Sequence, residues 1–272
     1  MLKFFFGFIL IGASFSAFAC ELVMGYRTNA KPPFISAAPD NSGLYQALYK
    51  EASRRINCTL TVVRQPKARI LHLMKEGAVD FYPGLSFSSA RAEHFVFLPN
   101  GLKDGYIGLT RSSEQEIHSL HDVAARKLVM VVSFGGYDLN AKQYGIHTRK
   151  PYDFTLTQIV DLILEGHADF YAYNLLAVRY FLKTHPERAS RLKIHNHCCQ
   201  EAQQMFFGVS KRSKHILLRP NPNYRPDLTL SETNTPEQVQ ENSTIWRLYQ
   251  ALEEMAQDGS LRAIEARYFG QE

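Results

Sequence analysis

Hydrophobic and polar positions in the first part of the chain form two kinds of pattern. Short apolar runs predict strands at 22–26, 60–63 and 81–85, and apolar residues spaced three to four positions apart predict helices at 44–55 and 68–76. A strand–helix–strand–helix–strand order is typical of a parallel sheet with right-handed crossover connections. The pattern therefore predicts an α/β fold for this part of the chain.

A seven-residue pattern occurs twice, once on each side of the chain's middle. The segment EGAVDFY at 76–82 returns as EGHADFY at 165–171, and an apolar helical run precedes each copy. Glycine suits the left-handed position that ends a helix, and the Phe-Tyr pair favours a strand. Matched helix–strand units predict two similar α/β lobes, and the cleft between two lobes is a place where small molecules bind.

The second half of the chain repeats this architecture and then returns to the first lobe. Strands are predicted at 128–132, 170–173 and 205–209, and helices at 156–165 and 175–183. The two crossings between the lobes are expected near Tyr106 and Val209. The predicted division is therefore 20–106 in lobe one, 107–209 in lobe two and 210–272 returning to lobe one.

The returning segment combines a polar stretch with two helices. Residues 211–237 are rich in Pro, Asn, Arg and Thr without a clear period, and they predict a long surface loop. Apolar stripes then predict one helix around Leu252 and another around Leu261, separated at Gly259. We expect both helices to pack on lobe one.

The first residues have the pattern of an export signal. Lys3 precedes an apolar run from Phe4 to Phe15, and Ala17-Phe18-Ala19 matches a small-residue cleavage site. The apolar run is too short for a good membrane span. We therefore expect 1–19 to be a signal peptide, the mature chain to begin at Cys20 and the protein to be periplasmic. A membrane anchor and a lipid-anchored Cys20 are the alternatives.

The cysteines fall into two pairs. Cys20 and Cys58 each directly precede a predicted strand, and if those strands are parallel neighbours both residues lie at the same end of the sheet. A disulfide between them is then geometrically feasible in an oxidising compartment. Cys198 and Cys199 are adjacent and open three alternatives: free thiols, a vicinal disulfide, or half of a metal site with His195 and His197. A redox-reactive or structural pair is favoured over the metal site.

The composition of the chain limits the kinds of molecule that it is expected to bind. The chain has 272 residues, a formal net charge of +5 and 45% hydrophobic residues, which allows two domains with their own cores. Because it contains no run of five or more Lys or Arg residues, nucleic acid is not supported as a partner. We expect no metal and no cofactor.

Candidate ligand-binding residues follow from the predicted sheet. In open parallel α/β sheets, ligands bind beyond the carboxyl ends of the strands. The loop after the strand at 81–85 carries Ser86, Ser88 and Arg91. A serine can cap a helix that begins there, and Arg91 can hold a carboxylate through two hydrogen bonds. The alternative is a solvated surface arginine.

Lobe two offers three further candidates. Asn174 follows the strand at 170–173 and is expected to face Arg91 across the cleft, or to cap the next helix. Gly136 and Tyr137 follow the strand at 128–132, where flexible backbone amides can face a ligand. An ordinary turn is the alternative there.

Several motifs, in their order and spacing, resemble one protein family. Pro33-Phe34 follows the first strand, Gly77 and Asp80 form a helix-ending Gly-x-x-Asp, and the segment from Ser86 to Arg91 precedes Phe97. The ending has the pattern L-x-x-M-x-x-D-G-S-L at 252–261, followed by YFG at 268–270. Over almost the whole mature chain, the sequence resembles the bacterial extracellular solute-binding proteins of family 3, the polar amino acid ABC-transporter type.

The resemblance implies a type II periplasmic-binding-protein-like fold, with two α/β lobes, a ligand cleft and two crossover hinge segments. It also implies that Arg91 binds the α-carboxylate of a ligand with help from Ser88, and that Phe34 and Ser86 belong to the site. The chain departs from the family at three positions. Asn174 and Thr28 stand where acidic residues are usual, and Lys31 stands where an aromatic residue precedes Pro-Phe.

These departures bear on the ligand. Because carboxylates for an ammonium group are missing while Lys31, Arg69 and Arg91 add positive charge, an anionic or uncharged ligand is indicated rather than a basic amino acid. The alternative for Arg69 is an exposed arginine on a helix surface, without a role in binding.

We expect a monomeric, non-enzymatic binding protein that captures a small polar solute, amino-acid-like or carboxylate-bearing, for an ABC permease or a sensor. The alternatives are a dehydratase-like enzyme on the same fold, with Asp138 as its main acid, and a sensory or partner-binding protein with a vestigial cleft.

Overall fold

The structure is a computed structural model that describes residues 20–132, 138–152 and 154–270. Its strands are β1 (Glu21–Arg27), β2 (Thr59–Gln65), β3 (Phe81–Tyr82), β4 (Phe95–Arg111), β5 (Met130–Val131), β6 (Thr148–Arg149), β7 (Phe170–Asn174), β8 (Leu192–Ser210), β9 (Leu218–Pro220) and β10 (Glu237–Val239). Its helices are α1 (Leu44–Arg55), α2 (Lys67–Glu76), α3 (Ser89–Ala92), α4 (Leu120–Ala125), α5 (Leu156–Leu164), α6 (Leu175–Thr184), α7 (Pro186–Ala189), α8 (Thr244–Gln257) and α9 (Ser260–Phe269), with a 3₁₀ turn at Ala141–Tyr144.

Two long strands join the lobes. The main sheet has the order β2-β1-β3-β8-β4-β7-β5-β6, in which β1 pairs parallel with β2 and β3, and β5 pairs parallel with β6 and β7. The antiparallel strands β4 and β8 run through both halves, and their register shifts between Pro99 and Gly108. This arrangement confirms the predicted two-lobed α/β fold.

The second crossing lies earlier along the chain than Val209. Val209 pairs with Phe81 of β3 and with Val96 of β4, and it is buried in the lobe-one core. The return to lobe one is therefore complete before Val209. The difference arises because the 19-residue strand β8 extends well beyond the apolar run that predicted it.

Each lobe has its own hydrophobic core. In lobe one, α1 and β1 pack against α8 and α9 through buried residues such as Leu48, Met24, Leu252 and Leu261. The two C-terminal helices therefore share one buried cluster with α1 and β1. A separate cluster in lobe two joins β4, β7 and α5.

The repeated EGxxDFY segment makes the same contact in both lobes. In lobe one, the Val23 N–H donates to Asp80 Oδ2 over 2.7 Å, and the Asp80 N–H donates to the Val23 carbonyl over 2.9 Å. In lobe two, the Val129 N–H donates to Asp169 Oδ2 over 3.0 Å, and the Asp169 N–H donates to the Val129 carbonyl over 2.9 Å. In both lobes, the aspartate of the repeat thus forms two reciprocal hydrogen bonds with one residue of the neighbouring segment. We call this pair of hydrogen bonds the clamp.

The glycine of the repeat has a conformational role. Gly77 and Gly166 have φ angles of 82° and 80°, in the left-handed region that favours glycine. They end the helical segments that precede the clamps, as the repeat predicts. The aspartate three positions later then reaches the neighbouring strand.

The segment 211–237 is more ordered than an irregular surface loop. It contains β9, which pairs antiparallel with β10, and Ile216 within it is buried. Between the two strands, the Asn234 side-chain N–H group donates to the carbonyls of Arg225, Leu228 and Thr229. Local polar side chains therefore satisfy backbone groups that a strand or helix would otherwise pair, which hydrophobic periodicity cannot reveal.

Two disulfides are present. Cys20 and Cys58 are bonded with their Cα atoms 4.6 Å apart, at the end of the sheet where β1 and β2 begin. Cys198 and Cys199 form a vicinal disulfide. Among residues 20–132, 138–152 and 154–270, no group of three or more His, Cys, Asp or Glu side chains is arranged to hold a metal ion. No helix in these ranges is both long enough and apolar enough to cross a membrane.

His195, considered above as a metal ligand, is a buried residue of lobe two. Its Nδ1 accepts a hydrogen bond from the Ile117 N–H over 3.0 Å, so the proton is on Nε2, which donates to Thr110 Oγ1 over 2.9 Å. Burial lowers the pKa of His195, although the nearby Glu116 carboxylate acts to raise it. Both ring nitrogens are therefore occupied in the neutral form.

This lowered pKa predicts a loss of stability in mild acid. As the pH falls below about 6.5, the usual pKa of histidine, the unfolded chain takes up a proton at position 195 before the folded protein does. The free energy of unfolding should therefore fall between pH 7 and pH 5, and it should fall less in His195→Gln. Urea titrations at both pH values measure this difference, with His167→Gln, at an exposed site, as the control. An unchanged pH dependence in His195→Gln would contradict the prediction.

Candidate functional site

A cavity of about 790 Å³ lies between the lobes, where the paired strands β4 and β8 cross from one lobe to the other. Lobe one contributes Lys31, Tyr45, Gly84 and Ser86. The crossing strands contribute Asp104, Gly105, Gln200, Gln203 and Gln204, and lobe two contributes Asn140, Tyr144, Asn174 and Cys199. Glu232, from the segment between β9 and β10, also reaches the wall.

Three of the predicted site residues meet in this cavity. Lys31 follows β1, Ser86 follows β3, and Asn174 ends β7, so each lies at or beyond the carboxyl end of a strand. The rule for open α/β sheets therefore selects positions that the fold brings together across the lobes.

Arg91 lies beside the cavity and not in its wall. Its guanidinium Nη1 donates to the Ser86 carbonyl over 2.7 Å, which holds the side chain against the loop that forms the wall. Ser88 caps α3, accepting a hydrogen bond from the Arg91 N–H over 3.4 Å. The serine therefore shapes the turn that presents Arg91, as its capping interpretation predicts.

Three other predicted residues lie elsewhere. Phe34 is fully buried, with its ring centre 4.9 Å from that of Tyr45, so it belongs to the lobe-one core rather than to the cleft surface. Thr28 is exposed, and its carbonyl accepts from Arg64. Arg69 is exposed in the first turn of α2. None of the three lines the cavity, because burial and helix rotation, which the motif does not specify, decide which way each side chain points.

Two predicted site residues, Gly136 and Tyr137, lie outside the described residues. Asp138, the candidate acid of the enzyme hypothesis, follows them directly in the sequence. Asp138 accepts a hydrogen bond from the Asn140 N–H over 3.1 Å, and its carboxylate is 3.8 Å from Lys150 Nζ. It does not line the cavity, and these contacts indicate a turn-forming role rather than that of a general acid.

Asp104 is the acidic residue that sequence reasoning missed. Its Oδ1 accepts from the N–H groups of Gly105 and Leu176, so it caps the N-terminus of α6 from the neighbouring strand. The Asn174 side chain also hydrogen-bonds to it. Asn174 itself makes no side-chain cap on α6. Asp104 thus brings a carboxylate into the cleft from β4, in addition to Glu232 in the wall.

Asp104 and Lys31 are coupled electrostatically. Burial raises the pKa of the Asp104 carboxyl, and the hydrogen bonds to Leu176 and Gly105 and the positive charge of Lys31 oppose that rise. Burial lowers the pKa of Lys31, and Asp104 opposes that change. The cleft therefore holds an oppositely charged pair in a partly dehydrated setting, where charges interact more strongly than in water.

Polar residues of the crossing strands were also missed, although the sequence holds a signal for them. β8 is apolar at its end, at 205–209, but carries the polar run QEAQQ at 200–204. Gln200, Gln203 and Gln204 line the cavity. A polar interruption within a long strand marks the part of the strand that spans an open cleft instead of a core.

Comparisons with known proteins agree with this architecture. The model of the family described as bacterial extracellular solute-binding proteins, family 3, matches residues 22–271. No curated protein sequence matches the chain.

Three solved structures of different proteins share this fold. The L-cystine solute receptor of Neisseria gonorrhoeae, in its unliganded open conformation, is 17% identical over 93% of this chain and 94% of its own, with a TM-score of 0.68. Substrate-binding domain 2 of Lactococcus lactis GlnP, in an open conformation, is 14% identical over 94% and 99%, with a TM-score of 0.64. The GluR0 ligand-binding core in complex with L-glutamate is 15% identical over 94% and 100%, with a TM-score of 0.64. At these identities the likeness establishes the fold alone.

Proposed function

The chain belongs to the bacterial extracellular solute-binding proteins of family 3, and on this premise we propose that it captures a small polar, carboxylate-bearing solute, such as an amino-acid-like compound, in the cleft between its lobes. The protein acts as a monomer in the periplasm and delivers the solute to an ABC-type membrane permease or to a sensor. It binds the solute without transforming it.

The observation that carries this proposal is the composition of the cleft. Lys31 offers a cation from lobe one and Asn174 an amide from lobe two, while Asp104 offers a carboxylate between them. A solute with both a carboxylate and a hydrogen-bond donor can therefore contact both lobes at once. Arg91, held beside the wall by Ser86, supplies a second cation within the same loop system.

The connection between the lobes supports closure around the solute. The lobes are joined by β4 and β8, whose pairing is irregular between Pro99 and Gly108. Bending at this irregular pairing lets the lobes approach as rigid bodies, in the manner of hinge closure. Closure removes water from the cleft and strengthens the attraction between a bound carboxylate and the cations around it.

Thermal unfolding in the presence of amino acids, dicarboxylates, small peptides and aromatic acids tests the proposal. A solute at one hundred times its dissociation constant should raise the free energy of unfolding by about 2.7 kcal/mol, which is a shift of several degrees for a chain of this size. In Arg91→Ala, the affinity for that solute should fall about 10- to 100-fold, because a hydrogen bond to a charged group contributes about 1.5–3 kcal/mol.

Arg69→Ala is the matched control for Arg91→Ala, since Arg69 is exposed and lies outside the cavity wall. It should bind the solute with unchanged affinity. A solute that stabilises wild type and Arg91→Ala equally would preserve the proposed function and remove Arg91 from the site. Failure of every solute to shift the unfolding temperature would overturn the proposed function.

A further inference from the structure

Positive charge collects at one place beside the cleft. Three neighbouring parallel strands of lobe one each have a cation at or after their carboxyl end: Arg27 ends β1, Lys67 begins α2 after β2, and Arg91 lies in α3 after β3. Lys31, in the loop after β1, is the fourth and lines the cavity itself. We call these four residues the cation cluster.

Tyr82 lies at the centre of the cation cluster. Lys67 Nζ lies 5.5 Å from the centre of the buried Tyr82 ring. The charges of Arg27 and Arg91 both act on the Tyr82 hydroxyl. Three of the four cations therefore surround one side chain of β3, and the fourth, Lys31, acts on Lys67 and lines the cavity.

The four cations repel one another. Lys67 is exposed on the surface of α2, and its pKa is lowered by the partial desolvation of its ammonium group and by the charges of Arg91, Lys31 and Arg27. Arg27 also lowers the pKa of Lys31, although Asp104 raises that pKa by more than Arg27 lowers it. Among the described residues, none of the four forms an ion pair with a carboxylate.

This arrangement costs stability in the free protein. Like charges close together destabilise a compact state. Lys67 also stands in the first turn of α2, which has no acidic residue and where the helix dipole disfavours cations. A cluster that breaks local electrostatic rules at the rim of a binding cleft is expected to serve binding.

We propose that the cation cluster is a subsite for a second anionic group, so that the solute is a small compound that carries two carboxylates. This inference rests on the proposed function and specifies its substrate class. One carboxylate binds with Lys31 in the cavity, and the second lies among Lys67, Arg27 and Arg91 near Tyr82. A neutral amide in place of the second carboxylate leaves the repulsion among the cations uncompensated and binds more weakly.

Paired probes that differ only in this charge test the inference. They are L-glutamate against L-glutamine, L-aspartate against L-asparagine, and succinate against succinamate, measured by calorimetry and thermal unfolding. In the wild-type protein, the dicarboxylate member of a binding pair should bind at least about tenfold more tightly, as expected for one added charge-assisted contact. In Lys67→Gln this preference should fall below about threefold.

Arg69→Gln is the matched control, because Arg69 shares the first turn of α2 with Lys67 but is not among the charges that act on it. It should keep the full preference for the dicarboxylate. Binding with no preference for the dicarboxylate member, or with a preference that Lys67→Gln leaves intact, would overturn the inference while the proposed function stands. No binding by any probe or by the wider panel would overturn both.

A second measurement needs no ligand. Salt screens charge repulsion, with a Debye length of about 3 Å at 1 M. Raising sodium chloride from low concentration to 1 M should therefore stabilise the wild-type protein more than it stabilises Lys67→Gln, whereas Arg69→Gln should respond more like wild type. An equal salt response in Lys67→Gln and wild type would show that the cluster is not under repulsion and would remove the basis of the inference.

Discussion

Replacing Cys58 with serine should lower the free energy of unfolding by roughly 4 kcal/mol. The Cys20–Cys58 disulfide closes a loop with a sequence separation of 38, and the chain-entropy model assigns a closed loop of that length about this much stabilisation. The crosslink joins the starts of β1 and β2, so its loss acts on lobe one. Urea unfolding followed by Trp246 fluorescence measures the effect, since the chain's single tryptophan packs against the lobe-one core.

Two comparisons make this prediction specific. The double variant Cys20→Ser/Cys58→Ser should lose no more than Cys58→Ser alone, because either change removes the same crosslink. Replacing Cys198 and Cys199 should remove little chain entropy, because these residues are already adjacent in sequence. A Cys58→Ser protein within about 1 kcal/mol of wild type would show that the disulfide does not stabilise lobe one in this way.

Asp80→Ala should lower the free energy of unfolding by about 3 kcal/mol. The Asp80 carboxylate is 3% exposed and accepts from the Val23 N–H over 2.7 Å and from the Ser213 hydroxyl over 2.6 Å. Each hydrogen bond to a charged acceptor contributes about 1.5–3 kcal/mol, and the variant leaves two buried donors without partners. The same Trp246 unfolding experiment measures the loss.

The second copy of the repeat supplies the control. Asp169 forms the equivalent clamp with Val129, but its side chain is 26% exposed, and its partner Arg111 also donates to the carbonyls of Ile163 and Ala168. Because water and these carbonyls can replace the lost contacts, Asp169→Ala should cost only about 1 kcal/mol. Equal losses in the two variants would show that burial does not distinguish the clamps.

Short-range patterns were sufficient for much of the architecture. The predicted helix at 44–55 matches α1, and the repeated Gly-x-x-Asp predicts helix ends that have the expected left-handed glycines. Such features depend on residues within a few positions of one another. The longer strands were harder to predict, because polar positions such as 200–204 join β8 only through pairing with β4, about 100 residues earlier in sequence.

The candidate site shows the limit of motif-based reasoning. Motif position identified Lys31, Ser86 and Asn174, which line the cavity. It also suggested Phe34, whose ring lies in the core against Tyr45, and Arg69, which is exposed. A motif identifies the residue type that follows a strand. The packing of neighbouring elements determines the direction in which that side chain points.

By itself, the sequence determined the α/β class, the two-lobed plan, the family and the loops that follow the parallel strands, because periodicity, helix ends and motif spacing are local properties of the chain. Only the tertiary structure decided that Asp104 supplies the acid of the cleft, that Glu232 reaches its wall, and that Arg27 and Lys67 join Lys31 and Arg91. These residues come from segments far apart in sequence. Their electrostatic meaning arises from distance and burial, which exist only once the chain has folded.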